Sequence, residues 1–457
     1  MKLIKHIIPV EIDDGQVLLI NSLNGMIDKV DASTFETITK WQDLDKITPE
    51  NEFESDLFSS LNSRGYTVNS IEEEMARKNE VIKVLREQYQ KNRRVYNSIT
   101  FIPSYNCNFR CPYCFEGEVT RKKEIMTTEQ VDAALALAGD SYNIVSLFGG
   151  EPLMLENRPI IEYIASKTKD KLFSIVTNGY YVMEYFDLLI QLKIIRLCIV
   201  IDGKEETHNS RRILADGGPT YQKIMQGIEK CLENGINVGI RMNVDDSNFE
   251  ECKELRLSLV NKFEKYKDFL GFQISTLVGS MEDDVDYDAI GMLHELYEED
   301  IEYTLEERLR RNAIMSSFGP IINALTMGER PKPTYSFCFA NEESTLIVDP
   351  YGHIHSCLRG VGVEDLAVGT YYPEVKFKES GIHTRNIETI PECTECIYSL
   401  LCGGGCPMKS ATYDDDTHKP VCTAIHKQIH SLLPRIYQTN RDAAAKKANQ
   451  EAAATQA

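Results

Sequence analysis

Cys107-Asn-Phe-Arg-Cys111-Pro-Tyr-Cys114 puts three thiols within eight residues. A loop of that length can wrap three thiolates around three corners of a cubane iron–sulfur cluster, leaving the fourth iron without a protein ligand and open to chemistry. A structural zinc ion would want a fourth ligand, and neither this loop nor GEVTRKK after it offers another Cys or His. Iron–sulfur is the reading the spacing favours, with zinc or accidental clustering as the alternative. A second group holds Cys338, Cys357, Cys393, Cys396, Cys402, Cys406 and Cys422, with Gly403-Gly404-Gly405 inside it. Seven thiols and a nearby histidine would also serve two zinc ions. Cys198, Cys231 and Cys252 stand alone and read as small buried apolar side chains.

The elements that must hold these residues fall into three stretches. In residues 1–95, KLIKHIIPV, QVLLIN and GMIDKV read as three short strands split by turn signals. Three helical patterns follow, TFETITKW after the cap candidates Asp31 and Ser33, then LFSSLNSRG and EMARKNEVIKVLREQY. From Ser98, strand and helix alternate. SITFIP, NIVSLFGG, KLFSIVTNG, RLCIVIDG, NVGIRMNV and FLGFQISTL read as near-continuous apolar strands buried on both faces. Between them lie TTEQVDAALALAG, RPIIEYIASKTK, VMEYFDLLIQLK, YQKIMQGIEKCLENG and FEECKELRLSLVNKF. Six such units predict an α/β fold, a partial (β/α)6 barrel too short to close on eight strands. Ligands of such sheets sit at the carboxyl ends of the strands, where Gly149, Asn178, Gly179, Asp202 and Gly203 gather. A long helix is expected over 287–312, then a metal-organised region rich in Cys, Gly and Pro, and an Ala-rich tail at 437–457.

The net charge of −20 in 457 residues excludes nucleic acid and anionic membrane as expected partners. No run approaches a membrane span. MKLIKHIIPVEIDD turns acidic too soon for an export signal, so a reducing cytoplasm is the expected compartment, where clustered thiols bind metal more often than they pair.

The first cysteine loop, with Tyr113 before its last cysteine, resembles that of the radical S-adenosylmethionine (SAM) family. The resemblance implies a 4Fe-4S cluster on Cys107, Cys111 and Cys114 whose free iron is chelated by the amino and carboxylate groups of SAM. An electron from the cluster then releases a 5′-deoxyadenosyl radical. It further implies that Gly149-Gly150-Glu151-Pro152 holds the methionine amine, with Glu151 accepting from the ammonium. Thr177-Asn178-Gly179 and Asp202-Gly203 match stretches that contact the carboxylate and ribose, and Arg241 is a reasonable carboxylate partner. No residue is assigned as catalytic.

The second group resembles the SPASM extension of these enzymes, which binds two auxiliary 4Fe-4S clusters, making three in all. By position, Cys338, Cys357 and Cys406 would hold the first, and Cys393, Cys396, Cys402 and Cys422 the second. The first set is one ligand short. Either an iron stays open to substrate, or His353 or His355 closes it. The implied domains are 1–95, a winged-helix-like α+β domain similar to the RiPP recognition element that captures the leader of a ribosomally made precursor peptide; 96–315, the barrel; 316–436, the SPASM region; and the tail. SPASM enzymes mostly modify peptides, so the expected partners are a precursor peptide with its leader and an electron donor such as a flavodoxin or ferredoxin. The expected product is a thioether from a peptide cysteine sulfur to a carbon, as in sactipeptides and ranthipeptides. Alternatives are carbon–carbon crosslinking and a sulfatase-maturing, formylglycine-forming enzyme. In the latter an aspartate follows the second SPASM cysteine, where this chain has Leu358-Arg359. A non-catalytic metal-organised peptide-binding protein is the alternative of another class.

Overall fold

The computed structural model describes residues 1–277 and 330–422, apart from 13–14, 118, 120–121 and 414–416, together with 429–430, 433–434, 437–438 and 441. The helix expected over 287–312, the boundary expected near 315 and most of the expected tail lie outside the described residues.

The N-terminal segment runs β1 (Lys2–Leu3), β2 (Ile7–Ile12), β3 (Gln16–Asn21), β4 (Ile27–Val30), α1 (Ala32–Gln42), α2 (Glu52–Ser63), β5 (Thr67–Val68) and α3 (Ile71–Asn92). The side chains of Asp31, Asn51 and Ser70 cap the three helices. KLIKHIIPV is two strands rather than one. Glu74, buried in α3, accepts from the backbone N–H groups of Lys5 (2.7 Å) and His6 (3.2 Å), which draws the chain out of β geometry between them. β1 therefore pairs with β5, while β2, β3 and β4 form an antiparallel sheet.

This segment is not a separate body. Its core, including Leu3, Leu19, Trp41 and Tyr66, is continuous with Tyr335, Ile387, Ile390, Cys393 and Leu400 of the cysteine-rich region. Along α3, Lys78 Nζ donates to Thr394 O (2.7 Å), and Tyr89 Oη donates to Asn341 O (2.8 Å) and His383 O (2.7 Å).

β6 (Ser98–Phe101), β7 (Ile144–Leu147), β8 (Leu172–Thr177), β9 (Lys193–Val200), β10 (Val238–Val244) and β11 (Leu270–Thr276) lie parallel in chain order. The helices between them are α4 (Thr128–Ala138), α5 (Arg158–Lys167), α6 (Phe186–Leu189), α7 (Glu205–Arg211), α8 (Tyr221–Glu233) and α9 (Phe249–Lys262). VMEYFDLLIQLK is helical only over α6, and α7 has no counterpart in the sequence expectation.

The strands are not apolar on both faces. Ile99, Val145, Ile175, Ile199, Ile240 and Phe272 share one core with the helix residues Ile164, Ile224 and Leu255. By the two-residue period of a strand, the opposite face carries Thr100, Ser146, Ser174, Cys198, Arg241 and Gln273. The barrel lumen is therefore polar.

The sheet does not close. β12 (Thr345–Val348) adds in parallel to β6, and β13 (His353–His355), β14 (Ala367–Thr370) and β15 (Lys376–Phe377) follow antiparallel, making ten strands in one sheet. The edge of β6 is thus paired rather than exposed, and the cysteine-rich region is anchored directly to the barrel.

Candidate active site and cysteine sets

The first cysteine loop leaves β6 and is held by the chain that follows α7. Arg110 N donates to Ile213 O (2.7 Å), and Ala215 N donates to Asn108 O (2.8 Å). Cys107, Cys111 and Cys114 are free thiols. Burial pushes Cys107 up to about 12 and raises Cys111 and Cys114, an environment that suits thiolates only when cationic iron accompanies them.

Gly149 and Gly150 turn with φ of +88° and +46°. A Cβ on Gly150 would stand 2.5 Å from Asn106 O, so glycine is what lets this turn press against the cysteine loop. Glu151 is 1% exposed. Its carboxylate accepts from Leu153 N (2.8 Å), Thr177 Oγ1 (2.6 Å) and Asn178 N (2.6 Å), which ties the ends of β7 and β8 together. Burial raises its pKa, and these three donors oppose the rise. A carboxylate accepts at about four positions, so three chain donors leave about one for an ammonium. Pro152 O accepts from Asn157 Nδ2 (3.0 Å), and Asn178 Nδ2 donates to Asn108 Oδ1 (2.8 Å), fastening both turns.

Asp202, fully buried at the end of β9, receives Asn243 N (2.9 Å) on one carboxylate oxygen and the Tyr113 hydroxyl on the other. Arg212 donates to the same Tyr113 oxygen (2.8 Å) and lies 3.6 Å from Asp202. Sequence reasoning missed Arg212. Burial disfavours its charge, and Tyr113, Cys111 and Asp202 restore it, so a guanidinium stands beside the cysteine loop. Its helix α7, EETHNSR, has no apolar stripe to betray it. His208 on α7 accepts from Asp202 N (3.3 Å) and is pushed down to about 3, first by burial and then by Arg212. Arg241 points into the lumen with its Nε on Asn243 Oδ1 (3.1 Å), its pKa lowered by burial. Glu116, also unanticipated, is buried, and burial raises it to about 7, against a bond from Gly150 N–H.

In the second group the thiol of Cys338 lies within electrostatic reach of Cys406 and Cys357. That of Cys393 lies within reach of Cys402, Cys396 and Cys422. Burial pushes Cys338 and Cys393 up to about 12 and Cys402 to about 11. Gly403, Gly404 and Gly405 all have positive φ, and a Cβ on Gly403 would stand 2.6 Å from Phe337 N, one residue before Cys338. Buried Arg385 donates to Gly404 O and Thr417 O, and it senses Cys393, Cys402 and Cys422 of one set and Cys406 of the other.

His353 and His355 both turn onto Asp349, with His353 Nδ1 at 3.4 Å and His355 Nε2 at 3.1 Å from its Oδ2. The same oxygen accepts from Tyr105 Oη (3.0 Å). The two histidines considered as a fourth ligand are thus engaged with a carboxylate between the two cysteine groups.

Residues 101–259 match the model of the Radical SAM superfamily. A probable GTP 3′,8-cyclase of Archaeoglobus fulgidus is 29% identical over 177 residues, 37% of this chain and 57% of that protein. The radical SAM cyclopropyl synthase TigE of Paramaledivibacter caminithermalis is 22% identical over 277 residues, 54% of this chain and 57% of that protein. The chain spans about half the length of the curated relatives it matches. Among solved structures, anSMEcpe with bound AdoMet superposes with a TM-score of 0.56 at 19% identity, covering 76% of this chain and 95% of that one. Streptococcus suis SuiB bound to its precursor peptide SuiA gives 0.52 at 14% identity, covering 92% and 98%. The α/β fold is that of radical SAM enzymes, and it carries a cysteine-rich C-terminal region.

Proposed function

We propose that this chain is a radical SAM peptide maturase that links a cysteine sulfur to a carbon of another residue in a ribosomally made precursor. The observation that carries the reading is the loop of three free, half-buried thiols, locked through Gly150 and Asn106 to the glycine turn above a polar lumen. The peptide substrate draws support from SuiB, crystallised with its precursor peptide, and from anSMEcpe, crystallised with the Kp18Cys peptide. The SuiB match covers so much of this chain that it must include part of residues 1–95. The exposed edge at β4, every residue of which is at least partly exposed, is where a leader would add as a further strand.

Cys107, Cys111 and Cys114 would hold the SAM cluster, Cys338, Cys357 and Cys406 the first auxiliary cluster, and Cys393, Cys396, Cys402 and Cys422 the second. When bound, these groups supply one-electron cleavage of SAM to a 5′-deoxyadenosyl radical and an acceptor for the electron left over. The chain does the rest. Gly149, Gly150, Glu151 and Pro152 bind the methionine amine, Thr177, Asn178 and Arg241 its carboxylate, and Asp202 the ribose. Tyr113 and Arg212 fix Asp202, and the lumen screens the radical from water. Overall the substrate loses two hydrogens, one as an atom taken by the 5′-deoxyadenosyl radical, which becomes 5′-deoxyadenosine, and the other as the thiol proton, with one electron released that an auxiliary cluster would accept. An electron donor of flavodoxin or ferredoxin type would restart the cycle.

Anaerobically reconstituted protein with SAM and dithionite should release 5′-deoxyadenosine, and replacing Cys107, Cys111 and Cys114 by Ala should abolish this. Residual cleavage in that triple variant refutes the assignment. With precursor, each link should leave the peptide two hydrogens lighter and short of one alkylatable thiol. The same mass change with the thiol retained would mean carbon–carbon crosslinking.

A further inference from the structure

The lumen face carries two charged groups from the strands below Asp202, and both are cations. Arg196 rises from β9 across β10, where Gly239 leaves room: a Cβ there would stand 3.3 Å from Arg196 Nε. Its guanidinium ends on Gln273 Oε1 of β11, which is the register partner of Arg241 on β10. Two guanidiniums therefore meet at one rung, about 7 Å of strand below Asn243, whose N–H holds Asp202.

Among the described residues neither is hydrogen-bonded to a carboxylate. Arg196 bonds a neutral amide oxygen and leans on the Cys198 sulfur at 4.0 Å, and Arg241 bonds the amide oxygen of Asn243. Asp202, the carboxylate whose field reaches Arg241, already accepts from Asn243 N–H and Tyr113 and pairs with Arg212 at 3.6 Å, which leaves room for a ribose hydroxyl and not for a second guanidinium. A guanidinium presents five donors, so most of these point at nothing charged. In a chain of net charge −20 a local inversion of sign is not background. Bidentate pairing with a carboxylate is what this geometry lacks.

We propose that Arg196, reaching the Arg241 rung from below, is a subsite for the side-chain carboxylate of an Asp or Glu in the peptide substrate, next to the residue that is modified, with Arg241 left to the methionine carboxylate of SAM. The inference rests on the peptide-maturase reading and narrows its substrate class to acidic segments. The methionine carboxylate of SAM offers the same chemistry from another source, so the test is run with SAM already bound.

The full chain, reconstituted anaerobically and saturated with SAM without reductant, is titrated with acetyl-Gly-Cys-Asp-Gly-amide and with the isosteric Asn peptide, and binding is read by ligand-observed NMR. The Asp peptide should bind about tenfold tighter, the ratio that one charge-assisted hydrogen bond supplies. Arg196→Gln should bring the ratio close to one, and Arg196→Lys should restore part of it. Because the readout is a ratio, a general loss of fold does not imitate the result. Equal affinity for the two peptides, a preference that survives Arg196→Gln, or one seen only without SAM, would overturn the subsite. If neither peptide binds, or both bind equally, the subsite fails alone, because the peptide reading stands or falls on the mass change of the full precursor with its leader.

Discussion

Asp349 is the group whose removal should be felt at both cysteine loops. It ends β12 and is 1% exposed. Its Oδ1 accepts from Tyr351 N (3.0 Å) and His353 N (2.9 Å), which fixes the turn into β13. Its Oδ2 accepts from Tyr105 Oη and His355 Nε2. Tyr105 stands two residues before Cys107 and His355 two before Cys357. Burial tends to raise the Asp349 pKa, but its bonds to His353 and His355 hold it well below the usual carboxylate range. Asp349→Ala leaves a buried tyrosine hydroxyl, a buried imidazole and two backbone N–H groups without an acceptor. Leaving buried donors unsatisfied costs about 1–3 kcal/mol apiece, about 3–5 kcal/mol together once water reaches some of them. Asp349→Asn keeps an acceptor for the backbone pair, and its amide can donate to the other tautomer of His355, so it should cost about 1–2 kcal/mol. Thermal unfolding of the reduced apoprotein should show the first transition lowered by about 6–12 °C for Ala and about a third of that for Asn. Iron retained after anaerobic reconstitution should fall in the same order. An Ala variant melting within about 2 °C of wild type, or an Asn variant as damaged as Ala, would refute the bridge.

His208 gives a pH signature. It is neutral in the fold, at about 3, and takes a proton near 6.5 when unfolded, so stability is lost as pH falls below 6.5 toward 3. The slope is about 1.4 kcal/mol per pH unit. Wild type should thus lose about 2 kcal/mol between pH 7 and 5 that His208→Gln, which still offers an acceptor to Asp202 N, does not lose; equal urea-midpoint shifts in the two proteins would refute this. Gly403→Ala should drive the Cys402–Cys406 turn off the backbone before Cys338. Reconstituted protein should then lose auxiliary iron while still cleaving SAM, and an undiminished iron content would show the turn to be tolerant.

How much of this was legible in the sequence depended on whether a residue acts through a period or through a fold. The six parallel strands were legible because each is apolar on one face against a helix: Ile99, Val145, Ile175, Ile199, Ile240 and Phe272 sit in one core. The polar face was written in the same letters, in the alternation of Ile-Thr-Phe, Val-Ser-Leu and Gly-Ile-Arg-Met-Asn. It was read over because four or five apolar residues in eight look continuous until the register is known. The glycine turns were legible as turns. That Gly150 must abut Asn106 was not, since the close approach joins residues 44 apart in sequence.

The residues missed altogether are those that a tertiary contact makes important. Arg212 follows a polar helix of seven residues, and only the return of the chain beneath the first cysteine loop gives its charge a neighbour. Lys78 lies on what reads as an exposed charged helix, yet α3 carries it to Thr394, beside Cys396 and Cys393. Lys78 and the shared core also explain why residues 1–95 do not stand apart. A leader seated on β4 would load a sheet whose core is continuous with the ground that holds the second set of thiols. Under the proposed function, substrate capture and cluster placement would draw on the same packing, and a substitution in the Leu3–Tyr66 core should disturb both together.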